Sequence, residues 1–227
     1  MSLLDLFLMS GTVESVRTVG RRFRRIRLRV PRMFGVPWKP GQQVRVNVAT
    51  SGLTLRTYSV WDLADSMVDL CALDHGEGPG AAWARSAAPG QLVRFTKPQG
   101  DLVLRPAPFH LFVGDETASV AFGPMLRALP ADAAAFGAIE VDRPEDALPL
   151  GSSITWSYRE GRPAASSAGL VAAVAALDLP PGPGVAYVAG EARTVQAVRS
   201  HLVRERGWAR RAVVTKPFWT PGKKGMD

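Results

Sequence analysis

Arg56, Tyr58 and Ser59 lie close together in the run Leu53-Thr54-Leu55-Arg56-Thr57-Tyr58-Ser59-Val60. Alternating apolar and polar residues predict a strand there, and residues two apart in a strand share a face. Arg56 and Tyr58 therefore look the same way. A guanidinium offers a planar fork of donors that fits a pyrophosphate. A tyrosine ring on the same face could lie flat against an isoalloxazine. The Ser59 hydroxyl or backbone N–H could bond a flavin's reactive nitrogen. An ordinary strand with one exposed arginine and a packed tyrosine fits the same residues, so support must come from elsewhere in the chain.

The elements that would position these residues divide near residue 107. Candidate strands run over Thr12–Val19, Arg24–Val30, Gln43–Val48, Leu53–Val60, Met67–Leu73 and Leu92–Lys97. Pro-, Gly- and Ser-containing turns separate them. Six short strands at this spacing predict an antiparallel barrel over residues 1–106. One helix of about two turns, Ala81–Ala88, follows the glycine-rich turn His75-Gly76-Glu77-Gly78-Pro79-Gly80. Such a helix start presents backbone N–H groups and a positive dipole end to an anion. A flexible loop with a packing helix is the alternative reading.

From Pro108 the pattern alternates. Phe109–Val113, Ala138–Val141, Ser153–Tyr158, Val185–Ala189 and Ala212–Thr215 read as strands. Helices are expected after Gly114-Asp115-Glu116-Thr117-Ala118 through Leu129, over Ala168–Leu177, and over Glu191–Arg206. This order predicts a parallel sheet with helices on both faces, a nucleotide-binding-like α/β domain over residues 107–227. Ligands in such sheets bind beyond the carboxyl ends of the strands. Gly114–Thr117 and Gly190–Arg193 occupy that position after two strands. No G-x-G-x-x-G follows the first of them. Asp142 could bond a ribose hydroxyl or cap the turn that follows it.

Composition removes several classes of function. The single cysteine, Cys71, excludes an internal disulfide framework and an all-cysteine metal site. His75, His110 and His201 are widely separated, so no protein-ligated metal is expected. Redox chemistry would then need an organic cofactor. The net charge of +8 is spread along the chain. Its densest run puts Arg25, Arg27 and Arg29 opposite Ile26, Leu28 and Val30, which predicts a solvated strand face. No nucleic-acid module is recognisable, and no nucleic-acid partner is expected. No apolar run approaches the ~20 residues that span a bilayer. The apolar first ten residues lack a basic leader and carry Asp5, so a cytoplasmic protein is expected.

Five stretches carry a family resemblance. They are Arg56-Thr57-Tyr58-Ser59, His75 to Trp83 with its Gly-Pro-x-x-x-Trp spacing, Val113-Gly114-Asp115-Glu116-Thr117-Ala118, Ala189-Gly190-Glu191-Ala192, and Phe218-Trp219-Thr220-Pro221-Gly222. Their order resembles the ferredoxin-reductase superfamily, and within it the siderophore-interacting proteins, FAD-dependent ferric-siderophore reductases. The resemblance implies an enzyme in which Arg56 and the Gly80–Ala82 backbone hold the FAD pyrophosphate. Tyr58 would stack on the flavin and Ser59 would sit by its reactive nitrogen, the two residues nearest the chemistry. Thr57, His75, Gly78, Pro79, Gly80, Ala81, Ala82 and Trp83 complete the implied cofactor site. Asp115, Glu116 and Thr117 would line the family's interdomain cleft, their peptide N–H groups facing nicotinamide dinucleotide phosphates. NAD(P)H or reduced ferredoxin would supply electrons, a ferric siderophore would receive them, and Fe(II) would be freed. A flavoprotein electron-transfer partner, or a binding module without its own nicotinamide-dependent activity, is the alternative.

Two positions depart from the family pattern. Trp61 and Thr220 stand where the family usually carries arginines. Lys216, Lys223, Lys224, Arg159 and Arg162 are either replacement cations for an anionic ferric complex or ordinary surface charges.

Overall fold

Ile26, Leu28 and Val30 are fully buried, and the arginines between them point outward, as a period-2 pattern requires. The computed structural model describes residues 8–151 and 154–223. The first seven residues, the expected strand start at Ser153, and Lys224 lie outside them. The first unit, Met1–Val103, contains six strands closed into a barrel. They are β1 (Met9–Val19), β2 (Phe23–Arg29), β3 (Gln43–Asn47), β4 (Leu55–Ala64), β5 (Met67–Leu73) and β6 (Leu92–Phe95), in the order β1-β2-β5-β4-β3-β6. The described pairings between them are antiparallel. Closure leaves no edge open to pair with another chain. One helix, α1 (Pro79–Ser86), connects β5 to β6.

The barrel interior is filled by side chains, with Val44, Val46, Val60, Leu70 and Phe95 fully buried. The outward arginines are not merely solvated. Arg25 and Arg27 converge from β2 on Asp69 of β5, each through two nitrogens, with Arg27 at 2.8 Å on both carboxylate oxygens. Asp69 is only 2% exposed. Its burial raises its pKa, but the two guanidinium groups outweigh that and hold the carboxyl below its usual range. Cys71 is buried beside them, and burial pushes its thiol up to about 12, so it is chemically quiet.

The second unit, Leu104–Asp227, is a five-stranded sheet. Its strands are β7 (Phe109–Asp115), β8 (Ala134–Val141), β9 (Ile154–Tyr158), β10 (Val185–Glu191) and β11 (Val213–Trp219), ordered β11-β10-β7-β8-β9. Every described pairing in it is parallel. The helices are α2 (Glu116–Arg127), α3 (Ala168–Ala175) and α4 (Ala192–Ser200), the last continued by a π turn at His201–Glu205. Leu170, Val174, Val195 and Val198 pack against Leu111, Val113, Ala186 and Val188 on one face. The strand order reverses beside β7, and α2 and α4 start directly after β7 and β10. In open α/β sheets that point is where ligand-handling residues collect. No described helix is long and apolar enough to cross a membrane.

Candidate functional site

The residues expected to carry chemistry form two groups, one in each unit. In the barrel, β4 places Arg56 and Tyr58 on one face against the start of α1. The Tyr58 hydroxyl donates to the Gly80 carbonyl at 2.9 Å, and the tyrosine ring lies 5.2 Å from that of Trp83 at 52°. Trp83 is 6% exposed and belongs to the barrel core, so it backs Tyr58 from behind. A Cβ at Gly80 would lie 2.9 Å from the Tyr58 hydroxyl and 3.5 Å from Arg56 Cγ. Only a residue without a side chain lets the helix start approach this closely.

That helix start is open. Gly78 is the N-cap of α1 and makes no side-chain capping bond, and Pro79 follows in the first turn. Pro79 has no N–H, so Gly80 and Ala81 supply the first backbone donors of the turn. The Arg56 guanidinium donates to its own Leu55 carbonyl at 2.7 Å. Arg85 holds the preceding loop by bonds to Asp74 (2.5 Å) and the Gly76 carbonyl (3.1 Å). His75, Gly78, Pro79 and Ala82 are exposed, while Ala81 is buried. Thr57 and Ser59 fall on the opposite face of β4 from Tyr58. Thr57 is exposed, and Ser59 is 7% exposed with its hydroxyl 3.5 Å from Gln43 Nε2.

In the α/β unit the helix starts are closed. Asp115 caps α2, accepting from Thr117 N at 2.9 Å and Thr117 Oγ1 at 2.5 Å on one oxygen. Its other oxygen accepts from Glu191 N at 2.8 Å and from Trp219 Nε1 at 2.7 Å. Burial pushes the Asp115 carboxyl up, and the neighbouring Glu116 charge adds to this against the pull of those donors. The Thr117 N–H, expected to face a phosphate, is thus taken by a carboxylate of the same chain. Glu191 caps α4 in the same manner, accepting from Arg193 N and Thr194 N. Burial raises its pKa, but these backbone donors and Ser166 N outweigh it and hold the carboxyl below its usual range. Ser167 caps α3 and donates to Glu140 at 2.5 Å.

Glu116 is bound by Arg159 through two bonds of 2.7 and 2.6 Å, and Glu140 lies 3.6 Å from the same guanidinium. Arg159 is 5% exposed. Neither a surface charge nor a replacement cation for a ligand, it is the buried counterion of two carboxylates. Arg162 donates to the Arg159 and Tyr158 carbonyls. Asp142 accepts from Gly161 N at 2.7 Å, so it holds the turn after β9. Glu140, Ser167 and the counterion role of Arg159 carried no local signal, because their partners are distant in the chain. A groove of about 590 Å³ between α3 and α4 is lined by Arg193, from the expected stretch Gly190–Arg193, but by none of the residues expected to hold the cofactor. Among the described residues no cluster of three or more His, Cys, Asp or Glu is placed to hold a metal.

Known proteins resemble this chain in sequence and fold. The chain is 33% identical over 178 residues to the ferric vibriobactin reductase ViuB of Vibrio cholerae, a match covering 74% of this chain and 65% of that protein. A siderophore utilization protein from T. fusca superposes with a TM-score of 0.83 at 26% identity, covering 97% of this chain and 96% of that one. The siderophore-interacting protein SipS of Aeromonas hydrophila gives 0.82 at 26% identity, covering 95% and 92% of the two chains. Phthalate dioxygenase reductase has the same fold at 15% identity, with a TM-score of 0.78 over 98% of this chain and 72% of its own. The siderophore-interacting FAD-binding domain model matches residues 42–102, and the siderophore-interacting protein model matches residues 107–222. The chain therefore belongs to the siderophore-interacting protein family, on a ferredoxin-reductase-like fold.

Proposed function

We propose that the chain is a cytoplasmic FAD-dependent oxidoreductase that reduces a ferric siderophore and so frees Fe(II). The observation that carries this reading is the uncapped start of α1 beside Arg56 and Tyr58. It fits a flavin dinucleotide by its donor chemistry. The Arg56 fork and the Gly80 and Ala81 N–H groups supply donors for the pyrophosphate. Tyr58, braced by Trp83 and by its bond to the Gly80 carbonyl, offers a fixed aromatic surface beside them. Bound FAD would supply the step between a two-electron donor and a one-electron ferric acceptor. Ser59 would act through its backbone N–H, since its hydroxyl lies on the other face of β4. The protein's part is to bind, orient and exclude water.

NAD(P)H or reduced ferredoxin would provide the electrons. A protein donor gains support from the α/β unit, where Asp115 and Glu191 already occupy the N–H groups of Thr117, Arg193 and Thr194. A flavoprotein electron-transfer partner is the matching second reading.

Anaerobic absorbance titration of the purified protein tests both. Bleaching of a yellow protein by NADH or NADPH, then reoxidation by a ferric chelate, is the result for a nicotinamide-fed reductase. Bleaching only by reduced ferredoxin moves the donor to a protein. A protein that cannot be loaded with FAD ends the reading. Arg56→Ala is expected to lower FAD affinity by about tenfold or more, as loss of a charge-assisted pair does; unchanged flavin content would sink the assignment.

A further inference from the structure

The turn that opens α1 is anchored through two of its carbonyl oxygens. From β4, the Tyr58 hydroxyl holds the Gly80 carbonyl at 2.9 Å. From the last turn of α1, Arg85 reaches back along the helix, the direction in which helical side chains lean. Its Nη1 donates both to Asp74 Oδ1 at 2.5 Å and to the Gly76 carbonyl at 3.1 Å. One nitrogen thus ties the start of the loop to its middle. Asp74 is fixed in turn by its own N–H, which donates to the Arg22 carbonyl at 2.6 Å. His75 to Pro79 are all exposed, and Gly76 has φ +60, so few other contacts order this stretch. A peptide unit is planar and trans, and a held carbonyl therefore sends the next N–H the opposite way. Arg85 sets the direction of the Glu77 N–H in this manner, as Tyr58 sets that of Ala81.

We infer that Arg85 is a positioning residue for the dinucleotide pyrophosphate, holding the loop before α1 in the shape whose N–H groups receive the phosphates. The inference rests on the FAD reading of the site formed by Arg56, Tyr58 and the start of α1. Arg85 acts through the loop, because its donating nitrogen is already engaged by Asp74 and Gly76. A loop with glycines at 76 and 78 loses much backbone freedom on ordering, and fixing it before the ligand arrives is a direct gain in affinity. Arg85 also pairs the Asp74 carboxylate, whose other oxygen lies 4.0 Å from Arg24 Nε, so that charge does not oppose an incoming anion. A ligand without phosphate benefits from neither effect.

Arg85→Ala removes both bonds and leaves a strong helix former in α1. Dissociation constants for FAD and for riboflavin, read by flavin fluorescence, separate positioning from simple support of the helix. The variant is expected to bind FAD about tenfold more weakly, the scale of a lost hydrogen bond to a charged group, and riboflavin as wild type does. At saturating FAD its visible flavin spectrum should match wild type, because Tyr58 is untouched. The double variant Arg85→Ala with Asp74→Asn tests the charge. It is expected to stay as weak as Arg85→Ala, since the loop remains untied. Unchanged FAD affinity in Arg85→Ala would overturn the inference. So would an equal loss for riboflavin, which would mean that Arg85 only holds α1 on the barrel. Full recovery in the double variant would reduce Arg85 to a counterion and overturn positioning as well. A wild-type chain that takes up no FAD is a different result, and it ends the flavin reading together with this one.

Discussion

The two units treat the start of a helix in opposite ways. In the barrel, α1 begins at Gly78 with no side-chain cap, beside an arginine and a tyrosine. In the α/β unit, α2, α3 and α4 begin at Asp115, Ser167 and Glu191, each of which bonds the first-turn amides itself. An open start leaves donors for an outside anion. A closed start turns the same donors inward, where they fix the capping side chain for another task. The buried aspartates show the same contrast. Asp69 of the barrel is met by two guanidinium groups, whereas Asp115 is met by neutral donors and lies beside Glu116. The first is neutralised and the second is aimed.

The comparison can be broken most forcefully at Arg159. Arg159→Ala would strand Glu116 and Glu140 without their buried counterion, and an uncompensated buried charge costs about 3–5 kcal/mol. Urea unfolding should show that loss in the α/β transition. A loss under about 1 kcal/mol would mean that the network is not held by its cation. Gly190→Ala comes next. The new methyl would meet the Asp115 carboxylate at 2.6 Å, on a backbone at φ +122, so about 2–3 kcal/mol should be lost. Near-wild-type stability would show that Asp115 has room to move.

The smallest effect is expected in acid, and it sharpens the contrast between the aspartates. Asp69 has a folded pKa below its unfolded value of about 3.9, so its stabilisation is present above that value and is lost as pH falls through the folded pKa. Asp115 has a raised pKa, so the opposite holds. Its contribution is complete below the unfolded value and declines as pH rises through the folded one. The guanidinium groups facing Asp69 are 34% and 43% exposed, which screens the pairs and limits the acid-limb loss to about 1–2 kcal/mol. Asp69→Asn should flatten the acid limb of the barrel's stability below about pH 4. An acid limb unchanged by that substitution would assign acid sensitivity to another carboxylate.

Much of the fold was legible because its signals are local. The six barrel strands and the strand–helix alternation after Pro108 follow from side-chain period and turn residues alone. Register shifts and helix ends were not. The expected Glu191–Arg206 helix is α4 followed by a π turn, with Glu191 outside it as the cap. Arg56 and Tyr58 were readable as a same-face pair because one strand carries both. The role of Arg159 was not, since its partner Glu116 is 43 residues away. Trp219 reaches Asp115 across 104 residues, and nothing in the local pattern at either end announces the bond. The arginines of β2 were visible as an outward row, but the carboxylate that gathers them lies on another strand.

The resting position of Arg56 has one further consequence. One of its nitrogens, Nη1, donates to the Leu55 carbonyl, so a ligand that takes the whole guanidinium fork must displace a neutral oxygen. A pyrophosphate, with two negative charges, wins that contest easily, and an uncharged ring or sugar does not. The arm therefore acts as a threshold on charge, and riboflavin, which has the isoalloxazine but no phosphate, should compete poorly with the dinucleotide for this chain.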